Sequence, residues 1–499
     1  MLDSIEQTET PYFDALLEYV EGKRIPFHVP GHKQGKGAHE KIKSILGDKI
    51  FQLDLCSGLE GIDDHSQPRA VLMEAERLAA KAYGADQTFF LTNGSTQGNY
   101  AMLLSFVGHG EKVIIPRNAH RSIVSALILS GAIPVYVNPE IDDELHIAHN
   151  VTPESVELAL IENPDAKAVL VVSPTYYGVT CDLRRIADIA HAHGKPLLVD
   201  EAWGPHFAFH PDLPESALSA GADACVTGIH KLLSSFTQSS MLHVRSKRAN
   251  IAHVNSVLRV IQSTSPSCLL LASLDVARMQ MATEGERLLS GTIDAAETVR
   301  ARLNGVKNLY SFGRDIVGRP GVADVDPTRL TVRVVDSGFS GYAVDRILRR
   351  SYGIQVELSD LFNVLFNITI GDSKEDVEKL ISALTDFAKG GDARWLDYSE
   401  MRLNDGHLKG AKLPHQPEQC LSPREAFFSR HERVPLEKSV GRICAEIVAS
   451  YPPGIPALSP GEKITRELVE YLKTELAAGI HIQGPEDPLL ATIKVVAGC

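Results

Sequence analysis

Short apolar runs alternate with amphipathic segments along residues 85–245 of the chain. Ala168–Val172 is a continuous, valine-rich run, the pattern of a strand buried on both faces. Strands alternating with helices of about ten residues indicate an α/β fold with a mostly parallel, doubly wound sheet. The predicted strands are Gln87–Leu91, Lys112–Ile115, Pro134–Val137, Ala168–Val172, Pro196–Val199 and Ala224–Thr227. The predicted helices are Ser95–Leu103, Arg121–Ser130, Pro153–Ile161 and Leu183–His193.

The pattern changes after about residue 250. The segment Leu270–Leu303 mixes polar and apolar residues, as expected of long helices. Beyond it the pattern predicts strands at Leu330–Val335 and Phe366–Ile370, and helices at Tyr342–Arg350, Lys374–Ala388 and Lys463–Ala477. We therefore expect a small α+β domain and a C-terminal α+β domain after the large one. The predicted divisions are an N-terminal arm at 1–40, a large domain at 41–310, a small domain at 311–390, a linker at 391–420 and a C-terminal domain at 421–499.

Composition narrows the class of protein. The 499 residues carry a net charge of −13, which argues against a nucleic-acid-binding protein. No apolar stretch approaches the ~20 residues of a membrane-spanning helix, and the N-terminus lacks the features of a signal peptide. The seven scattered cysteines contain no CxxC pair, so we expect reduced thiols, no metal site and a cytoplasmic location.

Four polar features follow predicted strands, where open α/β sheets bind ligands. The turn Asn93–Thr96 opens a helix whose N-terminus suits a phosphate. His120 lies on a loop and is suited to stack on a flat ring or to exchange a proton, Asp200 ends an apolar strand, and Lys231 follows His230 after another strand. Each has an ordinary structural explanation: a capped turn, a surface histidine, a helix cap and a solvated lysine.

Together these four features match the needs of pyridoxal phosphate. They supply an anion site for the phosphate, a side chain to stack on the ring, an acid for the pyridine nitrogen and an amine for the aldehyde. A lysine near a phosphate site is also suited to attack a carbonyl. The sequence therefore predicts a pyridoxal phosphate enzyme.

The chain resembles the bacterial ornithine/lysine/arginine decarboxylases of fold type I, in the short form without an N-terminal wing domain. The resemblance covers nearly the whole chain. It rests on the segments Pro26–Lys33 (PFHVPGHK), Leu59–Pro68 (LEGIDDHSQP), Pro116–Ser122 (PRNAHRS), Pro174–Gly178 (PTYYG), Val199–Ala202 (VDEA), His230–Leu232 (HKL), Ser263–Ser267 (STSPS), Asp326–Thr328 (DPT) and Tyr451–Pro456 (YPPGIP). It implies an aspartate aminotransferase-like fold, pyridoxal phosphate as cofactor and a homodimer with its active site at the interface.

The resemblance also implies roles for individual residues. Lys231 would form the Schiff base, Asp200 would pair with the pyridinium nitrogen, and His120 would stack on the ring. His230 would assist proton transfer beside the phosphate or the carboxylate. The remaining expected cofactor contacts are Gly94, Ser95, Thr96, Thr175, Trp203, Thr227 and, reaching the neighbouring subunit, Thr264 or Ser265. The cationic end of the substrate would meet Glu357 and Asp360, on the rule that a ligand cation pairs with a carboxylate.

Three positions depart from the family pattern. Gly228 stands where a serine is usual, Cys268 where a tyrosine is usual, and Trp203 where short members often carry histidine. The leading hypothesis is decarboxylation of a basic amino acid, with arginine ahead of lysine and ornithine, which supplies a polyamine precursor. The alternatives are another pyridoxal phosphate reaction on a basic amino acid (aldol cleavage, elimination or oxidation) and a non-catalytic homologue that binds the cofactor.

Overall fold

The computed structural model describes residues 6–390, 394–395, 398, 416–451, 455–477 and 481–498. Residues 452–454 of the YPPGIP segment and most of the predicted linker lie outside these ranges. The chain divides into two compact units. The first unit comprises residues 1–105 and 196–290, and the second comprises residues 106–195 and 291–499.

The first unit contains four strands side by side. Their order is Gln87–Leu91, Ser240–Val244, Ala224–Thr227 and Leu197–Glu201. Ser240–Val244 is antiparallel to both of its neighbours, whereas Ala224–Thr227 and Leu197–Glu201 are parallel. The helices that begin in this unit are Pro11–Glu21, Glu40–Leu46, Asp48–Leu53, Val71–Tyr83, Gly94–Phe106, Ala217–Ala220, Ile229–Leu232, Ile251–Ile261 and Cys268–Asn304.

The second unit contains three parallel strands in the order Ala168–Val172, Lys112–Pro116 and Ile133–Val137. An antiparallel sheet of Arg329–Arg333, Asn363–Asn367 and Leu358–Ser359 follows. The helices up to residue 389 are Arg121–Ser130, Pro153–Glu162, Leu183–Ala192, Gly341–Ile347 and Lys374–Lys389, and short strand pairs join Ile141–Asp142 to Ile147–Ala148 and Val179–Thr180 to Asp324–Val325.

The C-terminal part of the second unit has a core of its own. Val448, Leu458, Leu468 and Ile493 are among its buried apolar residues. This part contains the helices Pro423–Phe428 and Arg466–Ala477, the strand pair His431–Pro435 with Thr492–Val496, and the sheet Ile455–Leu458, Val448–Tyr451, His481–Gln483.

Several predicted bounds needed correction. The strand predicted at Pro196–Val199 is Leu197–Glu201, so Asp200 lies within the strand rather than after it. The strand predicted at Phe366–Ile370 lies three residues earlier, at Asn363–Asn367, because it pairs with Arg329–Arg333 in that register. The long helices expected between 270 and 303 are one continuous helix, because its interior glycines do not interrupt it.

One of the four strands described in the first unit was not predicted. Ser240–Val244 begins with a serine and carries His243 in its interior, so its apolar pattern is weak. The structure compensates for the buried histidine: Thr88 lies 2.8 Å from its Nδ1 and Thr227 lies 2.9 Å from its Nε2, measured to the hydroxyl oxygens. No helix among the described residues has the length and apolar character needed to cross a membrane.

Candidate active site

The predicted phosphate turn lies between strand Gln87–Leu91 and the 13-residue helix Gly94–Phe106. Gly94 adopts a φ of +67°, which favours glycine, and its N–H donates to Gln238 O at 2.8 Å. Gly94, Ser95 and Thr96 are partly exposed, and Ser95 Oγ lies 3.2 Å from Ser240 Oγ. A partly exposed helix N-terminus of this length is suited to bind a phosphate.

Asp200 is almost fully buried, at 4% exposure. Asn99 Nδ2 donates to its Oδ2 at 2.8 Å, and the Ala202 N–H donates to its Oδ1 at 3.2 Å. These donors fix the orientation of the carboxylate and offset part of its desolvation. Asn99 was not among the site residues expected from the sequence. The signal that could have identified it is its position: it is a polar residue in the helix that follows the phosphate turn, and it is buried.

Lys231 lies in the short helix Ile229–Leu232 and is half-buried. Its Nζ lies 4.1 Å from the centroid of the Trp203 ring, within the range of a cation–π interaction. Trp203 therefore contacts the predicted Schiff-base lysine directly.

Gly228 marks the place where these elements converge. A Cβ built on its backbone would lie 2.6 Å from Ala202 O, 3.1 Å from Lys231 Cδ and 3.2 Å from Ser95 Oγ. Ala202, two residues after Asp200, therefore approaches the same point as the lysine side chain and the phosphate turn. A side chain at position 228 therefore does not fit this backbone without movement of a neighbouring group.

His230 and His243 of this unit are both held by hydrogen bonds. His230 Nδ1 lies 2.7 Å from Ser239 O, and burial lowers the pKa of His230, which favours a neutral ring with Nδ1 protonated. Burial also lowers the pKa of His243 to about 3. Because the hydroxyl of Thr227 contacts His243 and is fully buried, the structure directs it toward that histidine.

The predicted dimer contacts Thr264 and Ser265 are both exposed in this chain. Cys268 is fully buried and begins the helix Cys268–Asn304, and burial raises the pKa of its thiol to about 11. The thiol is therefore protonated near neutral pH and has little nucleophilic character.

His120 and Thr175 belong to the second unit. His120 caps the helix Arg121–Ser130: its Nδ1 accepts from the Ser122 N–H at 3.2 Å and lies 2.8 Å from Ser122 Oγ. This bond fixes one ring nitrogen and the plane of a half-buried imidazole. Thr175 is 4% exposed, and its backbone N–H donates to Val179 O.

The two predicted substrate carboxylates have different surroundings. Asp360 Oδ1 accepts from the N–H groups of Phe362 and Asn363 at 2.6 and 2.7 Å, and Tyr177 donates to its Oδ2 at 2.7 Å. Burial raises the pKa of Asp360, and these donors oppose the rise. Glu357 is exposed, with one oxygen accepting from Asn367 Nδ2 at 2.9 Å.

The residues of the first unit fit pyridoxal phosphate. A buried, hydrogen-bonded carboxylate is available for a pyridinium nitrogen, and a half-buried amine for the aldehyde. The partly exposed helix N-terminus is available for the phosphate. The side chain that carries the amine and the phosphate turn both approach Gly228, as does Ala202, two residues after Asp200.

Comparison with known families matches two parts of the chain. Residues 10–376 match the family described as "Orn/Lys/Arg decarboxylase, major domain", and residues 407–486 match "Orn/Lys/Arg decarboxylase, C-terminal domain". The predicted boundaries of the arm, domains and linker stay predictions.

Two curated relatives are similar along nearly their whole length. One is named arginine decarboxylase, from Bacillus anthracis, and is 43% identical over 99% of this chain and 98% of its own. Another, from Bacillus subtilis, has the same name and is 42% identical over 99% of both chains.

Solved structures show the fold. The lysine decarboxylase LdcF of Francisella novicida gives a TM-score of 0.85 at 24% identity, covering 98% of this chain and 82% of that one. An alanine–glyoxylate aminotransferase from Nostoc gives 0.52 at 21% identity, covering 65% of this chain and 88% of that one. The predicted fold class, α/β of fold type I with an aspartate aminotransferase-like architecture, is confirmed.

Proposed function

The chain belongs to the ornithine/lysine/arginine decarboxylase family, whose members are pyridoxal phosphate-dependent decarboxylases of basic amino acids, and we propose that arginine is its substrate. The observation that carries the choice of arginine is the identity of 42–43%, over nearly the full length, to proteins named arginine decarboxylase. The relative named as a lysine decarboxylase in Pseudomonas aeruginosa is 28% identical.

The cofactor would be held mainly by residues of the first unit. Gly94, Ser95 and Thr96 would bind its phosphate, and Asp200 would pair with its ring nitrogen, with Asn99 keeping that carboxylate in place. Trp203 and, from the second unit, Thr175 and His120 complete the proposed set. When bound, pyridoxal phosphate supplies an aldehyde that captures the substrate amine and a ring that accepts the electrons left by departing CO2.

Lys231 would hold the aldehyde in the resting enzyme and later release the amine product. Its contact with Trp203 keeps the side chain beside the site when the amine is not engaged. His230 would act as a proton carrier. Its Nδ1 is fixed on Ser239 O, which leaves Nε2 as the acceptor in the neutral ring.

We propose Glu357 as the principal partner of the guanidinium at the far end of the substrate. Glu357 is exposed and one of its oxygens already contacts an amide, so the carboxylate keeps acceptor capacity for a cation. Asp360 would contribute mainly by its charge and by holding Tyr177, because its oxygens already accept several hydrogen bonds.

We further propose that the protein is a cytoplasmic homodimer. Thr264 and Ser265 are exposed in this chain, as expected if one of them completes the neighbouring subunit's phosphate site. Loss of cofactor affinity in a Thr264→Ala/Ser265→Ala variant that stays dimeric would support this contact.

A product assay tests the proposed function. Purified protein loaded with pyridoxal phosphate is incubated with L-arginine, L-lysine or L-ornithine, and both CO2 and the amine are measured, with Lys231→Ala as the blank. We expect CO2 and agmatine from arginine at the highest kcat/KM. Amine from lysine or ornithine alone would overturn the choice of arginine. Conversion without CO2 would indicate a different reaction on the same cofactor, and cofactor binding without turnover would indicate a non-catalytic homologue.

A further inference from the structure

Arg117 joins the loop that carries His120 to the C-terminal part of the chain. Its Nη1 donates to Glu462 Oε1 at 2.6 Å and its Nη2 to Glu462 Oε2 at 3.0 Å, across 345 residues of sequence. A further bond runs from Nη2 to Ala457 O at 3.1 Å. This two-pronged geometry fixes the direction of a guanidinium as well as its position.

The pair lies away from water. The side chain of Glu462 is 0% exposed and that of Arg117 is 13% exposed. Burial raises the pKa of Glu462, and the facing guanidinium opposes this rise. The Arg117 guanidinium also lies 4.8 Å from the centroid of the Tyr136 ring. A buried ion pair adds little net stability compared with apolar packing, but it tolerates few alternative arrangements.

The rest of the loop is held in the same way. Asn118 Nδ2 donates to His149 O at 3.1 Å, and Arg121 Nη1 donates to Gln483 Oε1 at 3.1 Å. The residues on either side of Ala119 and His120 are therefore anchored by their side chains. Glu462 and Gln483 both belong to the C-terminal part of the chain.

We propose that the Arg117–Glu462 pair is a positioning device, through which the C-terminal part of the chain sets the place and tilt of the His120 ring against the cofactor. The proposal rests on the proposed function, because the contact of His120 with the cofactor belongs to it. His120 lies three positions after Arg117, a span of at most about 10 Å, so a shift of the anchor moves the imidazole with it.

The size of the effect follows from the precision that a stacked ring needs. A misplacement of about 1 Å in a catalytic constellation can cost about 100-fold in rate. Glu462→Gln keeps the size of the side chain but removes the charge that faces Arg117. We expect it to weaken cofactor affinity about tenfold and to lower kcat more than it changes KM for arginine.

The test is a double-mutant cycle on cofactor binding. The dissociation constant of pyridoxal phosphate, and the visible circular dichroism of the bound cofactor, are measured for wild type, Glu462→Gln, His120→Ala and the double variant. If the pair acts through His120, Glu462→Gln has little further effect once His120 is removed. Independent effects that multiply would overturn the proposal.

A matched control separates positioning from general anchoring. Arg424 also reaches from the C-terminal part to the helix Arg121–Ser130, but it donates to Ile128 O and Leu129 O at the far end. Arg424→Gln is expected to leave cofactor affinity and dichroism unchanged. An equal loss in Arg424→Gln and Glu462→Gln would overturn the proposal.

A second variant covers the risk that Glu462→Gln does not fold. Arg117→Lys keeps the charge but loses the two-pronged geometry, and it should show the same weaker dichroism in a chain whose far-ultraviolet spectrum is native. Failure of both variants to fold would assign the pair to folding and overturn the proposal. If the wild-type protein itself bound no pyridoxal phosphate, the proposed function would fail. If the wild type binds the cofactor and both variants have the same cofactor affinity and dichroism as the wild type, only the positioning role is refuted.

Discussion

In the first unit, the candidate catalytic segments are fastened to one another by neighbouring strand ends. Gly94 N–H donates to Gln238 O, and His230 Nδ1 lies 2.7 Å from Ser239 O. In the second unit, the His120 loop is fastened by long side chains whose partners come from the C-terminal part of the chain. The first arrangement uses backbone groups of residues just before a strand, whereas the second depends on individual charged and polar side chains.

Two buried glutamates show the physical difference. Glu201 is 2% exposed, and its Oε1 accepts from the Ala217 N–H at 2.7 Å. Burial raises its pKa to about 8, so the carboxyl is largely neutral near pH 7. Glu462 is buried to the same degree but faces the Arg117 guanidinium at 2.6 Å. A buried carboxyl thus accepts from a backbone N–H in one region and pairs with an arginine in the other.

The largest expected effect lies in the first unit, at Lys231. Lys231→Ala removes the amine that would hold the aldehyde, so we expect kcat for arginine to fall at least about 10³-fold. The visible absorption band of the bound cofactor should shift to that of a free aldehyde. Lys247→Ala, on an exposed lysine, is the control and should match wild type. An unchanged absorption spectrum in Lys231→Ala would contradict the assignment.

Asp200→Asn should have the next largest effect. The amide is the same size but cannot hold a proton on the ring nitrogen, so we expect kcat to fall about 10²- to 10³-fold, as for other preorganised electrostatic partners. Cofactor binding should persist because the phosphate turn and Lys231 are intact. Steady-state kinetics and the absorption spectrum measure this, with Asp188→Asn on an exposed helix position as control. A variant with wild-type kcat would remove Asp200 from the mechanism.

Gly228→Ser tests how rigid the backbone of the first unit is near the candidate site. The new Cβ would lie 2.6 Å from Ala202 O, so something must move. Overpacking of this kind costs about 1–3 kcal/mol, which lowers the melting temperature and, near the cofactor, its affinity. Thermal denaturation and cofactor titration measure both. A tighter-binding variant would show that this backbone accommodates a serine.

The smallest expected effect on activity is at Glu201, whose predicted influence is on stability and its dependence on pH. The folded chain keeps a proton on Glu201 up to about pH 8, whereas an unfolded glutamate releases it near its ordinary value of 4.5. The contribution of Glu201 to stability is therefore complete below about pH 4.5 and is lost as the pH rises through about 8. Glu201→Gln keeps an oxygen that can accept from the Ala217 N–H but has no titrating group. The melting temperature of this variant should therefore change less between pH 5 and 8 than that of the wild type. Glu157→Gln, on an exposed glutamate, is the control; parallel profiles for both variants would refute the raised pKa.

The sequence predicted secondary-structure bounds correctly where the pattern of apolar and polar residues is clear over a short segment. The predicted bounds of Gln87–Leu91, Arg121–Ser130, Ala168–Val172 and Ala224–Thr227 are those of the structure. Each combines an apolar period with a clear start or stop signal nearby. Ser240–Val244 escaped prediction because its histidine is satisfied only by threonines on two other strands.

The sequence by itself determined the α/β class, the family and the chemistry expected at Asp200 and Lys231, because a strand end followed by a particular side chain is a local signal. Tertiary structure alone decided that Asn99 orients Asp200, that Trp203 lies against Lys231, and that Gly228 has no room for a side chain. It also decided that Arg117 finds Glu462 across 345 residues. Hydrogen bonds and ion pairs act over a few ångströms, and only the folded chain brings residues so distant in sequence within that range.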